Sequence, residues 1–347
     1  MKPALRMAIV GFGTAGEARL SAYRPIAGAD VVAVVETSPQ RRERVRALDP
    51  EVRVHASLDE LWDATPVDAV DICTPPAYHG ELARLALAAG RHVICEKPVA
   101  FSTEDALDLV AHARRGGALL YPAHNYGFSP MMRVLADAVA RGRVGSPMSG
   151  TFEIQRDTHA RGVAGWLPDW RRDPALAGGG IMMDHGTHCV YMATRLFAAV
   201  PAKVTASARW AGGDPSGGVD EAIDVRLDFP TGDCTIGLSW VAARRTNRYE
   251  LSGPQGTASV RDGVAELTGA GGPTREALAS PTGDSTHRDW FAGMFADFAG
   301  LVSTGTGWER PLTEVVTTTA VVCAAYESAR RGGTPVSVPE HRPAVTG

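Results

Sequence analysis

The sequence predicts an α/β protein of two domains, the first on a parallel sheet and the second on a predominantly antiparallel one. Three observations predict it. In the first third of the chain, short apolar strand-like runs alternate with helical runs, the pattern of parallel strands joined by crossover helices. From Asn125 onward the segments lengthen and alternate apolar with polar residues, as in an antiparallel sheet with one buried face. A chain of 347 residues is long enough for two domains with substantial cores.

Residues 7–10 read as a buried strand. Gly11-Phe12-Gly13-Thr14-Ala15-Gly16 follows at once, with a helical run to about residue 22. In that context Gly11 makes the tight turn and Gly13 lets the backbone approach a pyrophosphate. Gly16 allows close helix–strand packing, and the helix N-terminus faces the phosphates. A second strand over 31–35 ends in Glu36, about 20 residues past Gly16, where an acid reaches the ribose hydroxyls of a dinucleotide. Strand, glycines, helix, strand and acid together describe a Rossmann domain; the glycines alone would equally fit a turn that binds nothing. Glu36 also favours NAD over NADP, because a 2′-phosphate there meets like charge and Thr37 and Ser38 supply no cation. Arg41 and Arg42 are the cations near enough in sequence to answer such a phosphate.

Strands over 52–55, 69–73 and 92–95 then alternate with helices from about Leu58 and from His79. Thr74, Pro75 and His79 follow the fourth strand at the carboxyl edge of the sheet, where ligands bind, and are candidates for the nicotinamide half. His79 is as readily a polar helix start. Ser102 and Asp105 form a capping-box signal for a helix to about Arg115, and residues 118–121 close the sheet of a domain over 1–124.

The fifth strand runs into Glu96-Lys97-Pro98. Proline cannot donate to a sheet ladder, so the strand ends there and delivers Lys97 to the carboxyl edge. Of 35 lysines and arginines, only Lys2, Lys97 and Lys203 are lysines. A lysine kept at a strand end in so arginine-rich a chain points to work that needs a compact ammonium rather than a planar fork. A structural ion pair with a glutamate is the competing reading.

The second domain, 125–347, opens with a helix near 131–140 and continues in strands. Phe152 and Ile154, Val204 to Trp210, Ile223 to Phe229 and Ile236 to Trp240 all alternate with polar residues. The face bearing Asp224, Arg226 and Asp228 is either solvated or a polar subunit interface. Residues 269–284, rich in Gly, Pro and Ser, predict a surface loop, and a last helix runs over about 312–330. Between the strands, Gly178-Gly179-Gly180 precedes a helical run carrying Asp184, His185 and His188. In an α-helix Asp184 and His188 share a face, and His185 points a quarter-turn away. An acid beside an imidazole suits a general base; a solvated helix pair is the plainer reading. Gly186 within the run implies close packing or a ligand. His185 and His188 lack the matching acids or thiols of a metal site.

Composition excludes several classes. The apolar share is 44%, the charged share 21% and the net charge −4, so no basic footprint points to nucleic acid. No apolar run approaches the roughly 18 residues that span a bilayer, and the start lacks a signal-peptide core. Five scattered cysteines read as reduced thiols of a cytoplasmic protein.

The glycine fingerprint, Thr74-Pro75-Pro76 with His79, Glu96-Lys97-Pro98, Asn125-Tyr126, Trp170-Arg171 and the run 178–188 occur in a fixed order. That order resembles the glucose–fructose oxidoreductase/inositol 2-dehydrogenase (Gfo/Idh/MocA) family along nearly the whole chain. The resemblance implies a Rossmann domain followed by an α/β domain with a large open antiparallel sheet, and NAD(P)-dependent chemistry on a sugar, cyclitol or related polyol. It implies that Lys97, Asp184 and His188 are catalytic, and that Asn125, Tyr126, Trp170, Arg171 and His185 line the substrate site beside them. It implies a homodimer or homotetramer, and a lysine–proline bond that is often cis. Gly127 departs from the family, which often has an arginine there, and His185 varies among members. A biosynthetic ketosugar reductase would use the same residues. A non-catalytic nucleotide-binding sensor of the same fold is the rival outside the enzymes, and the retained Lys97, Asp184 and His188 argue against it.

Overall fold

In the computed structural model, residues 4–146, 148–163, 167–215, 217–269, 272–278 and 288–339 are described. By its contacts the chain divides into two compact units. One comprises Met1–Asn125, Gly162–Pro168 and Thr286–Val316; the other comprises Tyr126–Arg161, Asp169–Ser285 and Thr317–Gly347. The stretches 162–168 and 286–316, which sequence order alone assigns to the second domain, thus group with the first unit.

The first unit is built from β1 (Leu5–Val10), α1 (Thr14–Tyr23), β2 (Ala29–Val35), α2 (Pro39–Leu48), β3 (Arg53–His55) and α3 (Leu58–Ala64). It continues through β4 (Ala69–Ile72), α4 (His79–Ala88), β5 (His92–Cys95), α5 (Thr103–Gly116) and β6 (Leu120–Pro122). The six strands pair in the order β3-β2-β1-β4-β5-β6, all parallel. The order reverses beside β1, so the glycine turn after β1 opens at the switch point where such sheets bind ligands. β4 and β5 are buried along almost their whole length, as strands covered on both faces must be. Ser102 caps α5 by accepting from the Asp105 N–H at 3.0 Å, as the capping signal predicts.

The second unit contains α6 (Pro130–Ala140), β7 (Met148–Gln155), α7 (Pro174–Ala177), α8 (Thr187–Phe197), β8 (Lys203–Trp210), β9 (Asp220–Phe229) and β10 (Gly232–Ser239). β11 (Thr246–Gly253), β12 (Gly256–Arg261), β13 (Val264–Leu267) and β14 (Thr274–Ala277) follow. α9 (Arg288–Thr304) belongs to the first unit, α10 (Glu309–Arg330) begins in the first and ends in the second, and β15 (Val336–Ser337) closes the sheet. Nine strands pair in the order β14-β13-β12-β11-β7-β10-β9-β8-β15. Only β7 and β10 run parallel; every other pair is antiparallel. On the inner face Phe152, Leu227, Ile236 and Leu251 are buried, and Phe197 of α8 stacks on Phe229 with ring centroids 4.3 Å apart. The loop expected over 269–284 is corrected in part: Thr274–Ala277 forms the edge strand β14, and residues 279–284 lie outside the described residues. β14 is wholly exposed, so it carries no alternation to read.

Among the described residues no helix is long and apolar enough to cross a membrane. No group of three or more His, Cys, Asp or Glu side chains there could hold a metal ion.

Candidate active site

Around the glycine turn, backbone geometry decides what fits. Gly11 has φ +90°, and a side chain on it would meet Thr74 Cγ2 at 2.8 Å. A Cβ on Gly16 would lie 2.2 Å from the Gly11 carbonyl oxygen, so α1 can approach its strand this closely only without one. At Gly13, which caps α1, a Cβ would find only the Arg41 guanidinium within 4 Å, at 3.8 Å. That open amide-bearing cradle suits a pyrophosphate. At the end of β2, Glu36 is 2% exposed. Its carboxylate accepts from the Phe12 and Ser38 N–H groups, each at 2.8 Å, and pairs with Arg41 at 2.5 Å. Arg42 donates to the Glu36 and Thr37 carbonyl oxygens. The residues present therefore fit a dinucleotide, with an acid where its ribose would lie.

Thr74 and Pro75 follow β4, and Glu96 and Lys97 follow β5, so both pairs reach the same sheet edge as the glycine turn. The Lys97–Pro98 peptide is cis. His79 is fully buried, with Nδ1 2.8 Å from the Pro98 carbonyl oxygen and Nε2 2.8 Å from that of Thr74. Burial lowers its pKa, although both carbonyls pull the other way. It braces the Thr74 turn against the Pro98 turn. His124 is also buried, and burial with the nearby Lys97 charge pushes its pKa down to about 3.

Sequence reasoning missed the ionic network behind Glu96. Arg19, fully buried on α1, places Nε 3.0 Å from Asp71 and donates Nη2 to Glu96 at 2.7 Å. Tyr23 donates to Asp71 at 2.6 Å, and Phe291 of α9 covers the guanidinium at 4.1 Å. Glu96 Oε2 in turn accepts the Lys97 N–H at 3.2 Å. The available signal was Asp71, an acid inside the apolar strand Ala-Val-Asp-Ile.

In the second unit, the predicted regular helix after the three glycines begins as a π-helical turn, Met182–Gly186, and becomes α8 only at Thr187. The wider turn changes the expected side-chain register. Asp184 pairs with His185 at 3.2 Å and with Arg171 at 3.5 Å, so His185 does not point away from it. π-turns inside helices recur at functional sites. His188 is 7% exposed and stacks on Tyr126, ring centroids 4.0 Å apart and planes 22° from parallel. Burial pushes the Tyr126 hydroxyl up to about 12. Arg171 lies over the Trp170 ring at 4.3 Å. Thus Tyr126, Trp170, Arg171, Asp184, His185 and His188 fall in one neighbourhood, while Asn125, 8% exposed, belongs to the first unit.

Asp220 at the start of β9, also missed, anchors this turn. It is fully buried and accepts from the Gly180 N–H at 2.6 Å, the Met182 N–H at 2.7 Å and the Tyr326 hydroxyl at 2.6 Å. A Cβ on Gly180 would lie 1.9 Å from the Asp220 carbonyl oxygen, which explains the glycine there. Gly186 answers to close packing: a Cβ would meet Met182 Sδ at 2.4 Å and Leu238 Cδ1 at 3.2 Å. At Gly127 a Cβ would meet the Tyr191 hydroxyl at 2.5 Å, so the family's arginine has no room without displacing that tyrosine.

A glycine cradle with its acid, on a parallel sheet followed by a large, predominantly antiparallel one, defines the class: a dinucleotide-binding protein of two α/β domains. Residues 5–124 match the model of an oxidoreductase family with an NAD-binding Rossmann fold, and residues 132–259 match that of the GFO/IDH/MocA C-terminal domain. The chain belongs to the Gfo/Idh/MocA family of oxidoreductases. It is 34% identical over 184 residues to 1,5-anhydro-D-fructose reductase of Ensifer adhaerens, 53% of this chain and 54% of that protein. It is 29% identical over 233 residues to trans-1,2-dihydrobenzene-1,2-diol dehydrogenase of Mus musculus, 67% of this chain and 66% of that one. The chain thus spans about half to two thirds of the length of these curated relatives. Among solved structures it resembles levoglucosan dehydrogenase in complex with NADH and levoglucosan, with TM-score 0.84 and 20% identity over 97% of this chain and 100% of that one.

Proposed function

We propose that the protein is an NAD-dependent oxidoreductase that transfers hydride between the nicotinamide and a secondary alcohol or ketone of a sugar, cyclitol or related polyol. The observation that carries this reading is His188: a largely buried imidazole stacked on Tyr126, at the start of α8 directly after the π-turn whose Asp184 pairs with Arg171. Bound NAD supplies the two-electron acceptor. Oxidising a secondary alcohol also requires removing the hydroxyl proton, and an imidazole with an unperturbed pKa of about 6.5 is suited to take it near neutral pH. Lys97 is the cation that the family resemblance assigns to the stabilisation of developing alkoxide charge. Asp184, shared with Arg171 and His185, orients the substrate or the base.

On the cofactor side, Gly11 to Gly16 hold the pyrophosphate and Glu36 the adenosine ribose. Thr74, Pro75 and Glu96 line the nicotinamide half, with His79 acting from behind as a brace. NAD is preferred over NADP because Glu36 occupies the place of a 2′-phosphate and Arg41 is already paired with it. The second unit carries the substrate side and the subunit contacts of a cytoplasmic homodimer or homotetramer. In the reverse direction the same residues make a ketosugar reductase.

A screen of inositols, hexoses and pentoses with each cofactor, read by nicotinamide absorbance, tests the reading. NADH should form from at least one polyol, with NAD bound more tightly than NADP. Tighter NADP binding would sink the cofactor preference. A cofactor whose redox state no polyol or ketose changes would favour the non-catalytic sensor.

A further inference from the structure

Arg156 follows β7 directly and is buried, with 6% of its surface exposed. The acceptors it bonds are all neutral. Nη1 donates to the Gln155 and Thr246 carbonyl oxygens at 2.8 and 3.2 Å, and Nη2 donates to Asn247 Oδ1 at 2.8 Å. It makes no ion pair among the described residues. A guanidinium cannot shed its proton to escape burial, and a buried charge without a counter-charge is costly. A second cation stands next to it: Arg245 is exposed and immediately precedes Thr246, whose carbonyl Arg156 holds. Burial and the Arg245 charge lower the Arg156 pKa. Asp184 is a carboxylate whose charge reaches Arg156, and it is already shared by Arg171 and His185. Both arginines also act on the Tyr126 hydroxyl, on the ring that stacks against His188. Positive charge is therefore in excess beside the proposed base.

We propose that Arg156 and Arg245 form an anion subsite, and that the polyol this protein acts on carries a carboxylate. The inference rests on the reading of the His188 side as the substrate side. Of the five N–H donors of Arg156, three bonds to neutral acceptors are already made. The remainder suits the two oxygens of a carboxylate better than a phosphate dianion, and Arg245 adds a cation that can swing onto the same group.

Calorimetric titration of the NAD-saturated protein with matched sugars tests this: D-glucose against D-glucuronate, D-galactose against D-galacturonate, and glucose 6-phosphate as the dianion. Within a pair, the acid should bind roughly ten- to a hundredfold tighter, the range a charge-assisted hydrogen bond confers, and salt should erode the difference. Arg156→Gln should abolish the preference. Arg245→Gln, at an exposed position where folding is not at stake, should reduce it severalfold. Equal or undetectable binding of the acids, or a preference that neither variant changes, overturns the subsite. Tighter binding of glucose 6-phosphate than of glucuronate overturns the carboxylate. The oxidoreductase reading is judged apart, by nicotinamide absorbance with the same sugars. Turnover of neutral sugars without acid preference removes only the subsite; acid binding without any redox change removes only the reading.

Discussion

Lys97 illustrates how much one side chain depends on its supports. Its backbone N–H rests on Glu96, Glu96 is held by Arg19, and Arg19 is fixed by Asp71, itself held by the Tyr23 hydroxyl, with these three side chains fully buried. A buried cation with two acids tolerates no partial dismantling, because each acid left behind is an uncompensated charge. The lysine was legible from arginine's dominance elsewhere in the chain, whereas Arg19 was one arginine among many. At Lys97 itself we expect Lys97→Arg to lose activity nearly as completely as a neutral substitution. The guanidinium keeps the charge but is the wrong shape for a single-oxygen contact. Steady-state kcat on the best polyol from the screen checks this; wild-type kcat in Lys97→Arg would reduce Lys97 to a diffuse positive charge.

Among the elements, those with a clear apolar period were legible and those without were not. β9 and β10 alternate buried with accessible residues and were read directly. α2 buries only Val45, so no apolar stripe announced it. α9 fails in the opposite way: Trp290, Phe291, Met294, Phe295 and Phe298 are all buried, leaving little polar contrast to read as a helix face. The π-turn is hidden in the sequence because its residues are also compatible with α-helical spacing, and its anchor Asp220 lies far off in sequence. Burial pushes the Asp220 pKa up to about 6, against the usual 3.8, although its hydrogen bonds pull downward. Between those values the folded state keeps a proton that the unfolded chain releases. The resulting stabilisation is complete below pH about 4 and is lost as pH rises through about 6. Asp220→Asn removes that pH dependence and turns an NH₂ toward the Gly180 or Met182 N–H, at roughly 1–3 kcal/mol per stranded donor. Urea unfolding should show the variant less stable, with the gap to wild type narrowing as pH rises from about 4 to about 6. A gap that widens over that window would contradict the raised pKa.

At the scale of the whole molecule, the outer face of the large sheet is polar and shaped. Arg226 bridges Asp228 and Asp233 at 2.8 and 3.2 Å, and a hollow of about 390 Å³ opens between Thr151, Glu153, Asp224 and Arg226. Such a face can form a wet, stable contact between copies. Light scattering at micromolar concentration should therefore give a mass of two or four times 36.6 kDa, and a mass near 36.6 kDa would count against the sheet as an interface. The two-domain architecture was legible because Rossmann spacing and strand alternation are local signals. That Thr286–Val316 groups with the first unit was not, since sequence order says nothing of where a late helix returns. The proposed chemistry turns on proton removal at His188. Its most direct test is the rate of NADH formation by His188→Ala against wild type on the same polyol, with NAD affinity measured alongside. We expect kcat lower by roughly 10²–10⁴-fold with NAD affinity little changed; turnover at the wild-type rate would contradict His188 as the base.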